Sequence, residues 1–229
     1  MFNITNLASG YGQSQVIHDI SLDVKKQEIV AVMGRNGMGK TTLFKTLMGI
    51  LPTRGGSIKV DGKEVSSMDS YQRVESGIAY VPQGRMIFSH MTVLENIQTG
   101  LPASARGKVP EEFYALFPVL YDMRSRKGGN LSGGQQQQLA IARALATNPK
   151  VLLLDEPTEG IQPSIIKDIA KSLKEIRTMR DLTIVVSEQV LSFTLEMADR
   201  FLVIEKGKFV YDNTRANVDA PTISKYLSV

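Results

Sequence analysis

The sequence predicts an α/β fold with a largely parallel sheet, an antiparallel β portion and an inserted helical subdomain. Three observations carry this reading. Short β-rich runs alternate with helical patterns toward both ends of the chain, the order expected of parallel strands joined by crossover helices. The run Ile29 to Met33 leads straight into a glycine-rich loop and then a helix. The middle, about residues 84–148, changes to helical patterns separated by Pro and Gly.

The composition allows this fold. The chain has 229 residues, 42% of them hydrophobic and 22% charged, enough apolar material for a buried core. It contains no cysteine, which excludes a disulfide framework and thiolate metal sites. The net charge of +4 is small and scattered, so a basic stripe for nucleic acid is not expected. No apolar run approaches the roughly 20 residues that span a bilayer, and residues 1–5 do not read as a signal peptide. If the protein acts at a membrane, other subunits must supply the membrane part.

In chain order, Phe2 to Leu7 and Val16 to Val24 alternate apolar and polar residues like half-buried strands, with Gly10-Tyr11-Gly12 as turn chemistry between them. Thr41 to Met48 reads as a helix closed by Gly49. Ser57 to Val60 and Ile78 to Val81 are further strands. Phe113 to Tyr121 reads as helical, and a second helix runs from the segment Leu131 to Gln135 on to Leu145. Val151 to Leu154 is a fully apolar strand. Pro163 to Arg180 is an amphipathic helix with Ile165, Ile166, Ile169, Leu173 and Ile176 on one face and Pro in its first turn. Thr183 to Ser187, Phe201 to Glu205 and Lys208 to Tyr211 are strands, and Val190 to Ala198 is helical. Met33 and Met48 read as core filler. His18 and His90 lack neighbours at metal-ligand spacing.

Three segments carry chemistry. Gly34-Arg35-Asn36-Gly37-Met38-Gly39-Lys40-Thr41 fits G-x-x-x-x-G-K-[ST], in the required place between a strand and a helix. Its backbone N–H groups and the helix N-terminus suit phosphate oxygens, Lys40 reaches the terminal phosphates, and the Thr41 hydroxyl suits Mg²⁺. Asp155 and Glu156 follow the apolar strand at the end where such sheets bind ligands; Asp155 is placed to hold Mg²⁺ and Glu156 to polarise an attacking water. Ser132-Gly133-Gly134-Gln135 opens a helix with small residues, a second anion-binding end.

The order of phosphate loop, Gln83, Leu131-Ser132-Gly133-Gly134-Gln135 and Asp155-Glu156 resembles the nucleotide-binding domain of ABC ATPases across essentially the whole chain. The resemblance implies a P-loop NTPase fold in one domain, with a core and β subdomain at about 1–83 and 149–229 and the helical subdomain at about 84–148. It implies ATP and Mg²⁺ as cofactors, with Gly34 to Thr42 holding phosphates, Tyr11 stacking on adenine, and Gln83 approaching Mg²⁺ together with Thr41 and Asp155. It implies Glu156, Lys40 and Gln189 as the catalytic set, with Ser132, Gly133, Gly134 and Gln135 serving the nucleotide of a second ATP-binding subunit, either another copy of this chain or a related one. Membrane-spanning permease subunits and, indirectly, a substrate-binding protein are the further expected partners, at the cytoplasmic face of the membrane. The loop Gly84 to Ser89 is expected to meet the permease.

Two departures from the family pattern stand out. Gln162 takes a position usually held by Asp, and Gln189 aligns with the usual switch histidine. A glutamine can donate to a phosphate oxygen but cannot carry an imidazolium charge. The segments Glu159-Gly160-Ile161-Gln162-Pro163 and Ser187-Glu188-Gln189 are similar to the branched-chain amino-acid importer branch, and within it to urea-uptake ATPase subunits. A non-transport ABC ATPase and a non-hydrolysing nucleotide-binding module are the alternatives at this stage.

Overall fold

The computed structural model describes residues 1–105, 107 and 109–228. Two sheets organise it. The first is antiparallel and joins β1 (Phe2–Tyr11), β2 (Ser14–Val24), β4 (Gly55–Val60) and β5 (Lys63–Glu64) in the order β2-β1-β4-β5. The second joins β3 (Ile29–Met33), β6 (Ile78–Val81), β7 (Val151–Asp155), β8 (Thr183–Glu188), β9 (Arg200–Glu205) and β10 (Lys208–Thr214) in the order β10-β9-β3-β8-β7-β6. All its pairings are parallel except β9 with β10.

The helices are α1 (Lys40–Leu47), α2 (Ser70–Glu75), α3 (Val93–Gln98), α4 (Glu111–Leu116), α5 (Pro118–Asp122), α6 (Gly133–Leu145), α7 (Pro163–Met179), α8 (Leu191–Met197) and α9 (Ala220–Leu227). The alternation of β3 shows how they are arranged. Val30 and Val32 point into one apolar cluster with Leu43, Phe44 and Leu47 of α1 and with Phe2, Ile17 and Val60 of the antiparallel sheet. Ala31 and Met33 point into another with Ile97 of α3, Ile141 of α6, Leu173 of α7 and Phe193 of α8. Both faces of the second sheet are therefore covered, which is why β7 reads as an unbroken apolar run. Each such buried Leu or Val contributes about 1.5–3 kcal/mol relative to exposure.

The structure corrects two expectations. Gly10-Tyr11-Gly12 is not the turn: β1 continues through Tyr11 and β2 starts at Ser14. Gly10 lies so close to β2 that a Cβ there would come within 2.0 Å of the Ser14 carbonyl oxygen, so this glycine marks strand crowding. Phe113 to Tyr121 is not one helix. It divides at Phe117, whose φ of −132° and ψ of 73° are non-helical, because Pro118 crowds the backbone of the residue before it.

The parallel register brings the chemical segments together. Met33 pairs with Glu188, and Asp155 pairs with Ser187. The carboxyl ends of β3, β8 and β7 thus lie side by side, and the phosphate loop, the Glu188-Gln189 corner and the acidic pair emerge from one edge.

Candidate functional site

Loop 34–39 leaves β3 and turns into α1. Gly37 and Gly39 have φ of 79° and 110°, a region that L-residues rarely adopt. Gly39 caps α1 without a side-chain hydrogen bond, so the N–H groups of the first turn are open to an anion. A cleft of about 340 Å³ lies over this turn, lined by Val16, Asn36, Gly37, Gly39, Lys40, Thr41, Thr42, Gln83 and Glu156.

Lys40 is only 4% exposed. Its Nζ donates to the carbonyl oxygens of Gly34 at 2.6 Å and Arg35 at 3.0 Å, and lies 3.1 Å from Glu156 Oε1. Asp155 is buried and accepts from Ser187 Oγ at 2.5 Å, Tyr80 Oη at 3.1 Å and Thr41 Oγ1 at 3.4 Å. Burial pushes the Asp155 carboxyl above its ordinary pKa, against the lowering effect of those three hydroxyl donors. Burial likewise raises the Tyr80 phenol, reinforced by the Asp155 charge, so Tyr80 stays a donor at all ordinary pH.

Glu156 has φ of 48°, a left-handed conformation that costs a non-glycine residue about 1–3 kcal/mol. Its N–H is held there by Ser187, to the carbonyl oxygen at 3.0 Å and to Oγ at 3.1 Å. Its carboxylate is drawn in by three residues. Gln189 Nε2 donates to Oε1 at 3.1 Å, beside Lys40, and Gln83 Nε2 donates to Oε2 at 3.2 Å. Gln189 Nε2 also donates to Asn36 Oδ1 at 2.7 Å, tying β8 to the phosphate loop.

Of the sequence-predicted residues, Asn36, Lys40, Thr41, Gln83, Asp155, Glu156 and Gln189 thus form one connected set. Tyr11 is 46% exposed at the end of β1, and it is Val16, on the paired strand, that lines the cleft. Ser132 to Gln135 lie elsewhere. They open α6 through a capping box, Ser132 with Gln135, and line a larger cleft of about 690 Å³ with Gln162, Ile165 and Asp168. That larger cleft contains no residue of the phosphate loop or acidic pair, so volume alone does not locate the chemistry.

The sequence reading missed Tyr80, Ser187, Glu188 and Glu159 as organisers. Glu159 Oε2 accepts from Gln83 Nε2 at 3.1 Å, and its carbonyl accepts from Arg85 Nη2 at 2.8 Å. Ser187, Glu188 and Glu159 stand within the segments that carry the family likeness, but the sequence does not show which distant groups they hydrogen-bond.

A strand-loop-helix phosphate cradle, an acid pair at the end of the neighbouring strand but one, and a capped Ser-Gly-Gly-Gln helix start define an ATP-binding cassette. Comparison with known families agrees: residues 17–159 match the ABC transporter family, and the chain belongs to it as an ATP-binding subunit and an ATPase. It is 39% identical to the high-affinity branched-chain amino acid transport ATP-binding protein BraG of Pseudomonas aeruginosa, over 94% of each chain. It is 36% identical to the lipopolysaccharide export system ATP-binding protein LptB of Haemophilus influenzae, over 93% of this chain and 90% of LptB. Its fold superposes on the solved ABC transporter cassette MJ1267 with a TM-score of 0.85 at 26% identity, over 100% and 99% of the two chains.

Proposed function

We propose that the chain powers an ABC importer of a small polar solute by hydrolysing ATP with Mg²⁺, as half of a two-subunit ATP sandwich. The observation that carries this is the network joining Lys40, Glu156, Gln189 and Asn36 around the open first turn of α1. The donor set suits a hard cation: a threonine hydroxyl and a carboxylate oxygen 3.4 Å apart at the cleft edge. Among the described residues no three His, Cys, Asp or Glu cluster as a metal site, so Thr41 and Asp155 would share the ion with nucleotide oxygens and water, and Gln83 would approach it. When bound, Mg²⁺ would neutralise charge on the transferring phosphoryl group.

The residues of this chain do the rest by positioning. Lys40 donates hydrogen bonds to the Gly34 and Arg35 carbonyls and pairs with the Glu156 carboxylate, and ATP binding would exchange some of these partners for phosphate oxygens. That exchange would free Glu156 Oε1 to accept a proton from water, while Gln189, the glutamine at the switch position, would donate toward the γ-phosphate. Tyr11 would stack on adenine, and Arg35, Met38 and Thr42 complete the cradle. Ser132, Gly133, Gly134 and Gln135 would serve the nucleotide of the neighbouring subunit.

Surface chemistry supports a place for the chain at the membrane. Among the described residues no helix is long and apolar enough to cross a membrane. Beyond Gln83, Met86 is 69% exposed and Phe88 49%, and both line an apolar cleft of about 450 Å³ with Met48, Ile50 and Val74. A permease helix on the cytoplasmic side is the occupant that suits it. The likeness to BraG favours a branched-chain amino acid as cargo, whereas urea rests on the segments 159–163 and 187–189 alone. Lipopolysaccharide export is the second reading, favoured by the likeness to LptB.

The test is Glu156→Gln in the purified protein. We expect turnover to fall at least about a hundredfold with ATP binding retained and a closed dimer accumulating on ATP. Near-normal turnover in E156Q would remove Glu156 from the chemistry. Co-purified membrane and solute-binding subunits, titrated with urea and with leucine, decide the cargo.

A further inference from the structure

Glu188 is 2% exposed, and among the described residues it forms no ion pair. A buried carboxylate is costly unless hydrogen bonds replace its water. Here four donors converge. Oε1 accepts from Thr158 N at 3.0 Å and Thr158 Oγ1 at 2.5 Å. Oε2 accepts from Gln189 N at 2.8 Å and Val190 N at 3.0 Å. Only a carboxylate offers two oxygens that are acceptors alone.

Those donors belong to two segments that meet at the reacting end of the site. Thr158 lies two residues beyond Glu156, and Gln189 reaches Glu156 Oε1 and Asn36. Successive strand residues face opposite ways, so the end of β8 divides its labour. Ser187 holds Asp155 and the Glu156 backbone, Gln189 holds the Glu156 carboxylate, and Glu188 binds the loop after the acid pair from the other side.

We propose that Glu188 is a positioning residue for ATP hydrolysis: it clamps Thr158 to the backbone of Gln189 and so fixes the Gln189 amide on Glu156. The clamp rests on the hydrolytic reading of Glu156 above. It acts through Gln189 and touches neither nucleotide nor metal. Glu188→Gln tests it sharply, because whichever way the new amide turns, its NH₂ faces N–H groups that need an acceptor, and either Thr158 or the Gln189-Val190 corner is released.

The experiment compares wild type, E188Q, Q189A and the double variant by steady-state ATPase, fluorescent-nucleotide affinity and melting temperature. E188Q is expected to lower kcat about tenfold with KM for ATP within about twofold, the pattern of a lost transition-state interaction. Q189A is expected to lose a similar factor, and the double variant to be no worse than the poorer single one. Multiplying losses, or a folded E188Q with wild-type kcat, overturns the clamp. If E188Q does not fold, Thr158→Val removes one of the four bonds and carries the same cycle with Q189A, with a smaller expected loss. E156Q in the same assay separates the two readings: an active E156Q removes the hydrolytic assignment, whereas an inactive E156Q beside additive E188Q and Q189A removes the clamp alone.

Discussion

Asp155 is held in a place that disfavours its own charge. Its folded pKa is raised by burial, so between the ordinary carboxylate value and the raised one the folded state binds more protons than the unfolded chain. The stability this gives is present below the ordinary value and is lost as pH rises through the folded pKa. Above that window the stability is gone, and the charged carboxylate, disfavoured by burial, destabilises the nucleotide-free protein relative to a neutral side chain in its place. Asp155→Asn is expected to abolish turnover yet raise the melting temperature in metal-free buffer at pH 7.5, each 1 kcal/mol gained appearing as about 2–4 °C in a chain of this size. A lowered melting temperature would show that the bonds from Ser187, Tyr80 and Thr41 outweigh the desolvation. At the adjoining switch position, Gln189 removes a titration that a histidine would bring. The ATPase rate is expected to show no step near pH 6.5 from this position, and Q189H to introduce one, measured as kcat against pH. The members of the connected set around α1 were legible in sequence, because the phosphate-loop and acid-pair patterns confine Lys40 with Thr41 and Asp155 with Glu156 to fixed short spacings. Tyr80, Ser187 and Glu188 were not, because their partners lie 75, 32 and 30 residues away and only the strand register joins them.

The helix that carries Lys40 and Thr41 is fastened at its other end. Arg73, 1% exposed on α2, donates to the Thr46 and Leu47 carbonyls that end α1, at 2.7 and 2.9 Å, and to Met68 and Ser66 at 3.0 and 2.6 Å. Arg73→Met takes a donor from four carbonyls, of which those of Thr46 and Leu47 are bonded to the guanidinium in the buried interior, and a buried group left unpaired costs about 1–3 kcal/mol. We expect a loss of at least about 3 kcal/mol in urea unfolding; a loss under about 1 kcal/mol would mean that water replaces the guanidinium. Gly134 of α6 poses a packing constraint, since a Cβ there would meet Ile165 Cγ2 of α7 at 2.7 Å. Gly134→Val is expected to cost about 1–3 kcal/mol and to displace the start of α6, seen as lost turnover with nucleotide affinity retained. Elements with strong periodicity, such as α7 and β7, were legible. The short α2 and α3 were overlooked although their capping boxes, Asp69 with Gln72 and Thr92 with Glu95, stood in the sequence. The break at Phe117 was missed because the apolar pattern outweighed the steric demand of Pro118.

At the scale of the molecule, the phosphate loop and the Ser132 to Gln135 helix start line separate clefts with no lining residue in common. The parallel sheet sets this division. The phosphate loop and acid pair leave its carboxyl edge, whereas Ser132 to Gln135 ride on α6, packed with α7 against one face. If each cleft is half of a catalytic chamber, two chains related by a two-fold axis complete two chambers at once. The resulting prediction separates sharing from self-sufficiency. Lys40→Met disables only the phosphate-loop half, and Ser132→Arg only the α6 half; each variant alone is expected to be inactive. In a mixed dimer, one chamber receives both lesions and the other receives neither. Random mixing makes about half the dimers mixed, so the mixture is expected to recover about a quarter of wild-type activity per chain. Recovery should rise with total protein concentration, because it depends on association. If the equimolar mixture stays as inactive as its components while the wild type remains active, Ser132 and Lys40 act on the same chain's nucleotide or the S132R chain does not associate. Crosslinking of S132R with wild type separates those two outcomes.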